Sequence, residues 1–223
     1  MVFKNKDLNS LDAILLSKGE RQKPKNIYIE HGILPNSSVT LYENTGHYEP
    51  YERVVDILFK NPIQEPLANE WLDGVGELSF EGEEGYYKAR VLNVVSTKGS
   101  NAKLGWFRRT ITFEVQPFFF LYSGNNTMSI SSGQTIFNPG IECYPYVKIT
   151  GTGAVTIQVN GKLYPITLIN GSVEIEYPFA WKDTINKGRT LTGGFFKFRS
   201  GENVVSWTGT ISKFEIKGRW RTL

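Results

Sequence analysis

Few residues in this chain of 223 residues could carry out acid–base, nucleophilic or metal chemistry. Its two histidines, His31 and His47, are far in sequence from its single cysteine, Cys143, so no His/Cys cluster with the spacing of a transition-metal site is present. No G-x-S-x-G nucleophile elbow occurs, and no Walker or dinucleotide-binding glycine motif follows a strand. We therefore predict no catalytic residue, no metal site and no cofactor, and we interpret both histidines as ordinary polar residues beside turns.

Two further groups of residues could act on a polysaccharide. Three acids share one glycine-flanked turn, whereas the two carboxylates of a glycosidase usually come from separate strands that face a cleft. We interpret these acids as a solvated turn: Glu81, Glu83 and Glu84. Three tryptophans of the second half could stack on a sugar ring, although tryptophan in a small β-sandwich is typical of the core: Trp181, Trp207 and Trp220. A carbohydrate-binding protein and an enzyme such as a cell-wall hydrolase remain the alternatives to a structural protein.

The strand that would position the rest of the chain begins after Gly105. Apolar and polar residues alternate there with a period of two, which is typical of a half-buried strand. The inward positions of this strand are Phe107, Arg109, Ile111, Phe113 and Val115. Pro117 lacks a backbone donor, so we expect the ladder to end there or to lie at an edge. The small, polar stretch that follows is typical of a linker, and it divides the chain into residues 1–122, a hinge at residues 123–134 and a second domain at residues 135–223.

The first domain is predicted to be a β-sandwich or barrel with one short helix. Residues 8–16 could form either a helix or a strand. The helix lies in the sequence N-P-I-Q-E-P-L-A-N-E-W-L-D-G, where Leu67, Ala68, Trp71 and Leu72 form one apolar stripe and Gly74 supplies a left-handed cap. We expect Trp71 to anchor this helix in the core.

A long polar loop in the first domain is the predicted assembly element. Residues 39–60 are expected to form a hairpin, whose tip E-N-T-G-H-Y-E-P is flanked by tyrosines that bury area while keeping a polar end. A mobile surface loop is the alternative interpretation. The candidate interface residues within the arm, residues 39–53, are Tyr42, Glu43, His47, Tyr48, Glu49 and Tyr51.

The second domain is predicted to contain only strands and turns. Two Asn-Gly pairs, Asn160-Gly161 and Asn170-Gly171, tolerate the positive φ of a type I′ turn and each predicts a hairpin. Short antiparallel strands at this spacing are typical of a jelly-roll or galectin-like β-sandwich.

Charge and composition exclude several classes of protein. Residues 1–122 carry 14 Lys/Arg and 16 Asp/Glu, residues 123–223 carry 11 and 6, and residues 30–84 hold 12 acids against two bases. This bias indicates a solvated or acidic face that repels nucleic acid, and no basic nucleic-acid footprint is present. The apolar runs are too short for membrane insertion or a signal peptide. One cysteine fits synthesis in a reducing cytoplasm.

The order of these pieces resembles the distal tail (Dit) protein family of long-tailed phages that infect Gram-positive bacteria. The resemblance covers both domains: G-H-Y-E, then N-E-W-L-D-G-V-G-E-L-S-F, then Y-Y-K-A-R-V and the aromatic strand ending Q-P-F-F-F in the first, and F-N-P-G-I-E-C-Y-P-Y-V-K-I-T-G-T-G-A-V-T-I-Q-V-N-G and S-G-E-N-V-V-S-W-T-G in the second. One departure is the turn at residues 34–38, L-P-N-S-S, where the family is usually glycine-rich.

The resemblance implies a structural role and no enzymatic activity. It implies a tail-tube-like N-terminal domain that forms a ring of six, singly or in stacked rings, and docks on the tail-tube protein. The galectin-like C-terminal domain would hold tail-associated and receptor-binding proteins, and DNA would pass through a central channel without specific binding. The protein would then be made in the bacterial host and located at the virion tail tip.

Overall fold

The structure, a computed structural model, describes residues 1–33, 39–98, 105–177, 179–182, 185–186 and 194–223. The chain divides into two compact units, one of Met1–Phe119 with Leu223 and the other of Phe120–Thr222. Strands dominate both units, and the single α-helix of the described residues, α1, spans Glu65–Trp71. The prediction of a mainly β fold with one short α-helix is confirmed.

The first unit is built on one large antiparallel sheet and a separate two-stranded sheet. Strands β2, β1, β7, β8, β9, β6 and β3 follow one another across the large sheet, and β4 pairs with β5 alone. The bounds are β1 Val2–Phe3, β2 Lys6–Asp7, β3 Ala13–Ser17, β4 Asn26–Ile33, β5 Thr40–Tyr48, β6 Tyr51–Phe59, β7 Val75–Ser79, β8 Gly85–Lys98 and β9 Phe107–Leu121. Residues 8–16, which the sequence left open, contain a 3₁₀ helix at Leu8–Leu11 followed by β3.

The core of the first unit follows the predicted alternation. All five predicted inward residues of β9, including Arg109, are buried, as are Val55, Ile57 and Phe59 of β6. The rings of Phe59 and Phe107 stack with centroids 4.8 Å apart. The pairing of β6 with β9 ends at Tyr51 opposite Val115, just before Pro117, although β9 itself continues to Leu121. This position suits a residue that cannot donate to a ladder.

Helix α1 is fixed by a buried tryptophan. Trp71 is buried, and its indole Nε1 donates a hydrogen bond to the carbonyl oxygen of Phe3 at 2.8 Å, which joins the helix to β1. The prediction that Trp71 anchors the helix is confirmed. Ala68 and Leu72 are also buried, but Leu67 is exposed, so the apolar stripe is narrower than expected. Leu72 caps the helix, and Gly74 follows with a φ of 75°.

The second unit holds a sheet in the order β10, β16, β12, β13, β14 and β15, with β11 paired to β16. A buried apolar cluster that includes Ile149, Ile157 and Phe214 forms its core. The bounds are β10 Thr127–Ser129, β11 Gln134–Asn138, β12 Tyr146–Val159, β13 Lys162–Glu176, β14 Phe179–Lys182, β15 Ile185–Asn186, β16 Gly201–Lys217 and β17 Arg221–Thr222.

The two Asn-Gly pairs have different structures. Asn160 and Gly161 both have positive φ, 50° and 86°, and connect β12 to β13 as the predicted hairpin. The second prediction is wrong, because Asn170-Gly171 lies inside β13. The register of β12 against β13 shifts between Gly151 and Gly153, so this part of the ladder contains an irregularity and the strand continues. A bulge of this kind bends a strand without ending it.

The predicted hinge, residues 123–134, differs from an unpacked linker in the structure. It contains a 3₁₀ helix at Tyr122–Asn125 and strand β10, which pairs with β16. Gly124 accepts a hydrogen bond from the backbone N–H of Arg219 at 2.8 Å, and Ile130 is buried in the core of the second unit. A composition poor in apolar residues can still be ordered, because glycine allows close backbone approach and one isoleucine supplies a core contact.

Candidate functional site

The predicted assembly element is a hairpin arm, but its two strands are β4 and β5. The sequence pointed to β5 and β6 as partners; that pairing is wrong, because β6 lies between β3 and β9 in the large sheet. The register of the arm places Tyr28 opposite Asn44 and Ile29 opposite Glu43. The connecting residues 34–38, including the departure from the family's glycine-rich turn, lie outside the described residues.

The arm in the structure consists of β4 and β5 instead of the predicted residues 39–53, and the name is used for these two strands from here on. Large side chains are exposed on both of its faces. On one face, Ile29 is 49% exposed, and Ile27 and Leu41 are exposed to a similar extent. On the other face, Tyr28 and Tyr42 are 53% and 64% exposed, and their rings make an edge contact with centroids 6.5 Å apart. An isolated two-stranded hairpin is marginally stable in water, and both faces of this one present large side chains to solvent.

The base of the arm is fixed to the first unit. The backbone N–H of Glu49 donates to the carbonyl oxygen of Lys25 at 2.9 Å and closes the arm at its root. The ring of Tyr48 packs edge-on against Phe118, with centroids 5.8 Å apart. Within the arm, the hydroxyl of Thr45 donates to the carbonyl oxygen of Ile27 at 2.7 Å. The arm therefore leaves the unit from a defined point.

The six candidate interface residues occupy three different positions. Tyr42, Glu43 and His47 lie on β5 with exposed side chains. Glu43 Oε2 lies 2.7 Å from Nε2 of His31 on β4, so the histidine belongs to the same arm. Tyr48 and Glu49 lie at the root described above.

Tyr51 does not belong to the exposed arm. It is the first residue of β6, and its side chain is buried in the first unit. Burial raises the pKa of Tyr51 to about 12, because the phenolate would lose its hydration there. Side chains alternate between the two faces of β6 from Tyr51 onward, and Tyr51 shares the buried face with Arg53 and Val55. Tyr51 is therefore not one of the exposed interface residues that the sequence predicted.

The residues considered for chemistry do not converge on one site. Glu83 is not simply solvated: its Oε1 lies 3.6 Å from Nη2 of buried Arg53. Burial raises the pKa of the Cys143 thiol to about 12, so it is not an activated nucleophile. Within the described residues, no group of three or more His, Cys, Asp or Glu side chains is placed to hold a metal ion. None of the described helices has the length and apolar character needed to cross a membrane.

The tryptophans considered for sugar binding are mostly unavailable. Trp220 is buried, and Trp207 stacks on Phe214 with ring centroids 4.9 Å apart. The side chain of Trp181 lies outside the described part of the structure. A more accessible aromatic group is the stacked pair Tyr144 and Tyr177, with centroids 4.3 Å apart.

Comparison with solved structures finds a full-length match. The chain aligns with the crystal structure of SPP1 Dit (gp19.1), described as a paradigm of the hub adsorption apparatus in phages that infect Gram-positive bacteria. The TM-score is 0.75 at 11% identity over 99% of this chain and 98% of that one. The chain has the fold of a phage Dit protein. Two structures of the phage p2 baseplate in its activated conformation, with Ca and with Sr, match with TM-scores of 0.49 at 11% identity over 95% of this chain and 92% of theirs.

The other comparisons found nothing: no protein-family model and no curated protein matches the chain. The predicted resemblance to Dit proteins is confirmed at the level of the fold.

Sequence reasoning missed β4 as half of the arm. Residues 25–31 alternate between apolar and polar residues, which predicts a half-buried strand there. The strand is present as β4, but Ile27 and Ile29 on its apolar face are both exposed in the structure. Alternation shows that one face is apolar but does not show what covers it. The partner of β4 could not be predicted from the sequence, since pairing also depends on the competing ladder between β6 and β9.

Proposed function

We propose that this protein is a structural component of a phage tail tip, a distal tail or baseplate hub protein. The observation that carries the proposal is the agreement of fold with SPP1 Dit over nearly the whole of both chains. A match that includes both units supports a shared architecture more strongly than a match to one common β fold. The proposed role is assembly, and it requires no catalytic residue, metal or cofactor.

In this proposal the first unit forms a closed ring of six copies, singly or in stacked rings. A cyclic ring needs two different complementary surfaces on each subunit, because its contacts are heterologous. The arm supplies one such surface, since it projects apolar side chains such as Ile29 and Leu41 that its own unit leaves exposed. Of the residues predicted for the interface, Tyr42, Glu43 and His47 remain proposed contact residues, and Tyr48 and Glu49 position the arm.

The ring is proposed to connect the tail-tube protein to the host-adsorption apparatus. The first unit would dock on the tube, and the galectin-like second unit would hold tail-associated or receptor-binding proteins. DNA would pass through the channel without being bound. The excess of acids over bases in residues 30–84 suits such a passage, because negatively charged side chains repel the DNA phosphates.

The arm gives the sharpest test of this proposal. Replacing residues 29–43 by a two-residue Asn-Gly turn would join Tyr28 to Asn44, which are already paired, and would leave β6 and the root intact. We expect this variant to keep the β-rich circular dichroism spectrum and to remain monomeric, while the unchanged protein forms a particle of six times the 25.3 kDa chain mass by light scattering.

A matched pair of substitutions controls for surface charge. Ile29→Asp replaces an exposed apolar side chain of the arm with a charge, and Ile63→Asp places the same charge on a residue that is 78% exposed in the 3₁₀ helix before α1. We expect Ile29→Asp to weaken the oligomer and Ile63→Asp to leave it unchanged. If the variant with the shortened arm still forms the oligomer, the arm is not part of the interface.

Carbohydrate binding is the alternative function, and the stacked pair Tyr144 and Tyr177 is the observation that favours it, because half of the Tyr177 side chain is exposed. Aromatic rings with a free face are the usual platform for a sugar. Titration with host cell-wall polysaccharide, using Tyr177→Ala as the comparison, distinguishes the two functions. We expect no binding for the hub protein, and saturable binding that Tyr177→Ala abolishes would support the alternative.

A further inference from the structure

A cluster of buried polar side chains in the first unit has no role in the proposed assembly. Its centre is Arg53 of β6, whose side chain is only 1% exposed. The Nε of Arg53 donates to the carbonyl oxygen of Lys18 at 2.7 Å, and its guanidinium carbon lies 4.2 Å from the centroid of the Phe80 ring. The same guanidinium lies 5.2 Å from the ring of Tyr87, on β8.

Four polar atoms of this cluster lack a well-formed hydrogen bond among the described residues. They are Nη1 of Arg53, Oε2 of Glu83 and the hydroxyls of Tyr51 and Tyr87. The Tyr87 hydroxyl lies near the Arg53 guanidinium without ordinary hydrogen-bond geometry. Buried polar groups are almost always hydrogen-bonded, so four such atoms in one place indicate a missing shared partner.

These residues are neighbours in the structure, since Tyr51 interacts electrostatically with Tyr87, Arg53 and Glu83. Nη2 of Arg53 lies 3.6 Å from Oε1 of Glu83, which leaves Nη1 and Oε2 as the outer atoms of the pair. Tyr51 and Arg53 point to the same side of β6, two residues apart. Burial is the main cause that raises the pKa of Tyr51 and of Tyr87, and the charges of Glu83 and Arg53 act on both phenols.

We propose that one ordered water molecule binds between Arg53, Glu83, Tyr51 and Tyr87. The chemistry of the four atoms selects this ligand. Nη1 only donates, Oε2 only accepts, and the two hydroxyls do either, so a water that donates twice and accepts twice satisfies all four. A bound cation would face the Arg53 guanidinium together with Lys18, whose Nζ lies 3.9 Å from Oε1 of Glu83, and Arg21, which acts on both phenols. A bound anion would face the Glu83 carboxylate.

This water would connect the root of the arm to the core. Tyr51 begins β6 only three residues after β5 ends at Tyr48, and Glu83 lies in the turn between β7 and β8. The water would therefore hold the point where the chain leaves the arm against a turn that is distant in sequence. The inference does not depend on the ring, because all four side chains belong to one unit of one chain.

A crystal structure of the unmodified protein, at a resolution that shows ordered water, tests the proposal directly. We expect one solvent peak at about 2.7–3.2 Å from at least three of the four atoms. Absence of the peak, a side chain of a neighbouring copy in its place, or an ion identified by anomalous scattering would each overturn the proposal.

A double-mutant cycle gives a second measurement in solution. Tyr51→Phe and Tyr87→Phe each remove one hydroxyl and keep the ring, so both variants should fold. If the hydroxyls share one water, the double variant should change the unfolding equilibrium constant by a factor that departs at least about twofold from the product of the single effects. The control cycle pairs Tyr51→Phe with Tyr164→Phe, since Tyr164 is buried against Phe196 in the second unit, and it should be multiplicative. A multiplicative result for Tyr51 and Tyr87 would overturn the proposal.

Discussion

Two arginines lie inside the core of the first unit, on the neighbouring strands β6 and β9. Arg53 of β6 packs on Phe80, and Arg109 of β9 makes an ion pair of 3.1 Å with Glu65. Alternation alone predicted the inward position of Arg109, because strand geometry places every second side chain on one face regardless of its charge. The partners of the two arginines could not be predicted, since Glu65 and Glu83 lie on other elements. A buried charge that loses its partner is strongly destabilising.

Trp71 tests the packing of the helix at the scale of one residue. Trp71→Ala removes a buried ring and the hydrogen bond to Phe3, so we expect the free energy of unfolding to fall by about 3–5 kcal/mol. Leu67→Ala on the exposed side of the same helix is the control, and it should change the free energy by less than about 0.5 kcal/mol. Chemical denaturation measures both, and equal effects would show that Trp71 is not the anchor.

Asp56 gives a prediction about pH. Hydrogen bonds from Arg108, at 2.6 Å, and from Thr110 hold the pKa of Asp56 below its ordinary value of 3.8 in the folded protein. A lowered pKa means that Asp56 stabilises the fold above pH 3.8 and that this contribution is lost as the pH falls through the folded pKa.

We therefore expect Asp56→Asn to be less stable than the unchanged protein at neutral pH, and the difference should shrink as the pH falls below 3.8. Exposed Glu77→Gln serves as the control for removing one acid from the same unit. Denaturation curves across this range provide the measurement. A difference that stays constant with pH would show that the carboxylate makes no favourable interaction in the fold.

At the scale of elements, sequence patterns predicted strands with local signals and failed where partners are distant. Asn160-Gly161 formed its hairpin, because the positive φ of both residues is a local property. Asn170-Gly171 carries the same signal but lies inside β13, opposite an irregular part of β12, where tertiary pairing outweighs turn preference. The arm was located by its polar composition, but its partner strand was misassigned for the same reason: pairing between strands is decided outside either strand.

The segment of residues 123–134 provides the test at this scale. A Cβ on Gly124 would lie 2.3 Å from the backbone nitrogen of Trp220, so Gly124→Ala should force a backbone shift. We expect a loss of about 1–3 kcal/mol in the free energy of unfolding. Asn125→Ala, at the exposed neighbouring position, should have little effect. If thermal melting of Gly124→Ala matches that of the unchanged protein, the segment is not packed as described.

At the scale of the whole molecule, the order of motifs predicted the fold better than any single motif did. Composition predicted a mainly β chain, the motif search predicted no catalytic set, and the family resemblance predicted an architecture that agrees with SPP1 Dit at 11% identity. Such agreement arises because a fold depends on the pattern of buried positions more than on residue identity. The sequence of one chain does not show how copies meet, so the ring, its channel and its attached proteins remain proposals.

The central claim is that this chain is the subunit of a tail-tip ring, and imaging the purified protein by negative-stain electron microscopy tests it most directly. The proposal predicts class averages with sixfold symmetry around an open central channel, from particles of six chains or of two stacked rings. The variant without residues 29–43 should yield no such rings under the same conditions. Single-chain particles at every concentration tested, or closed assemblies without a channel, would contradict the claim.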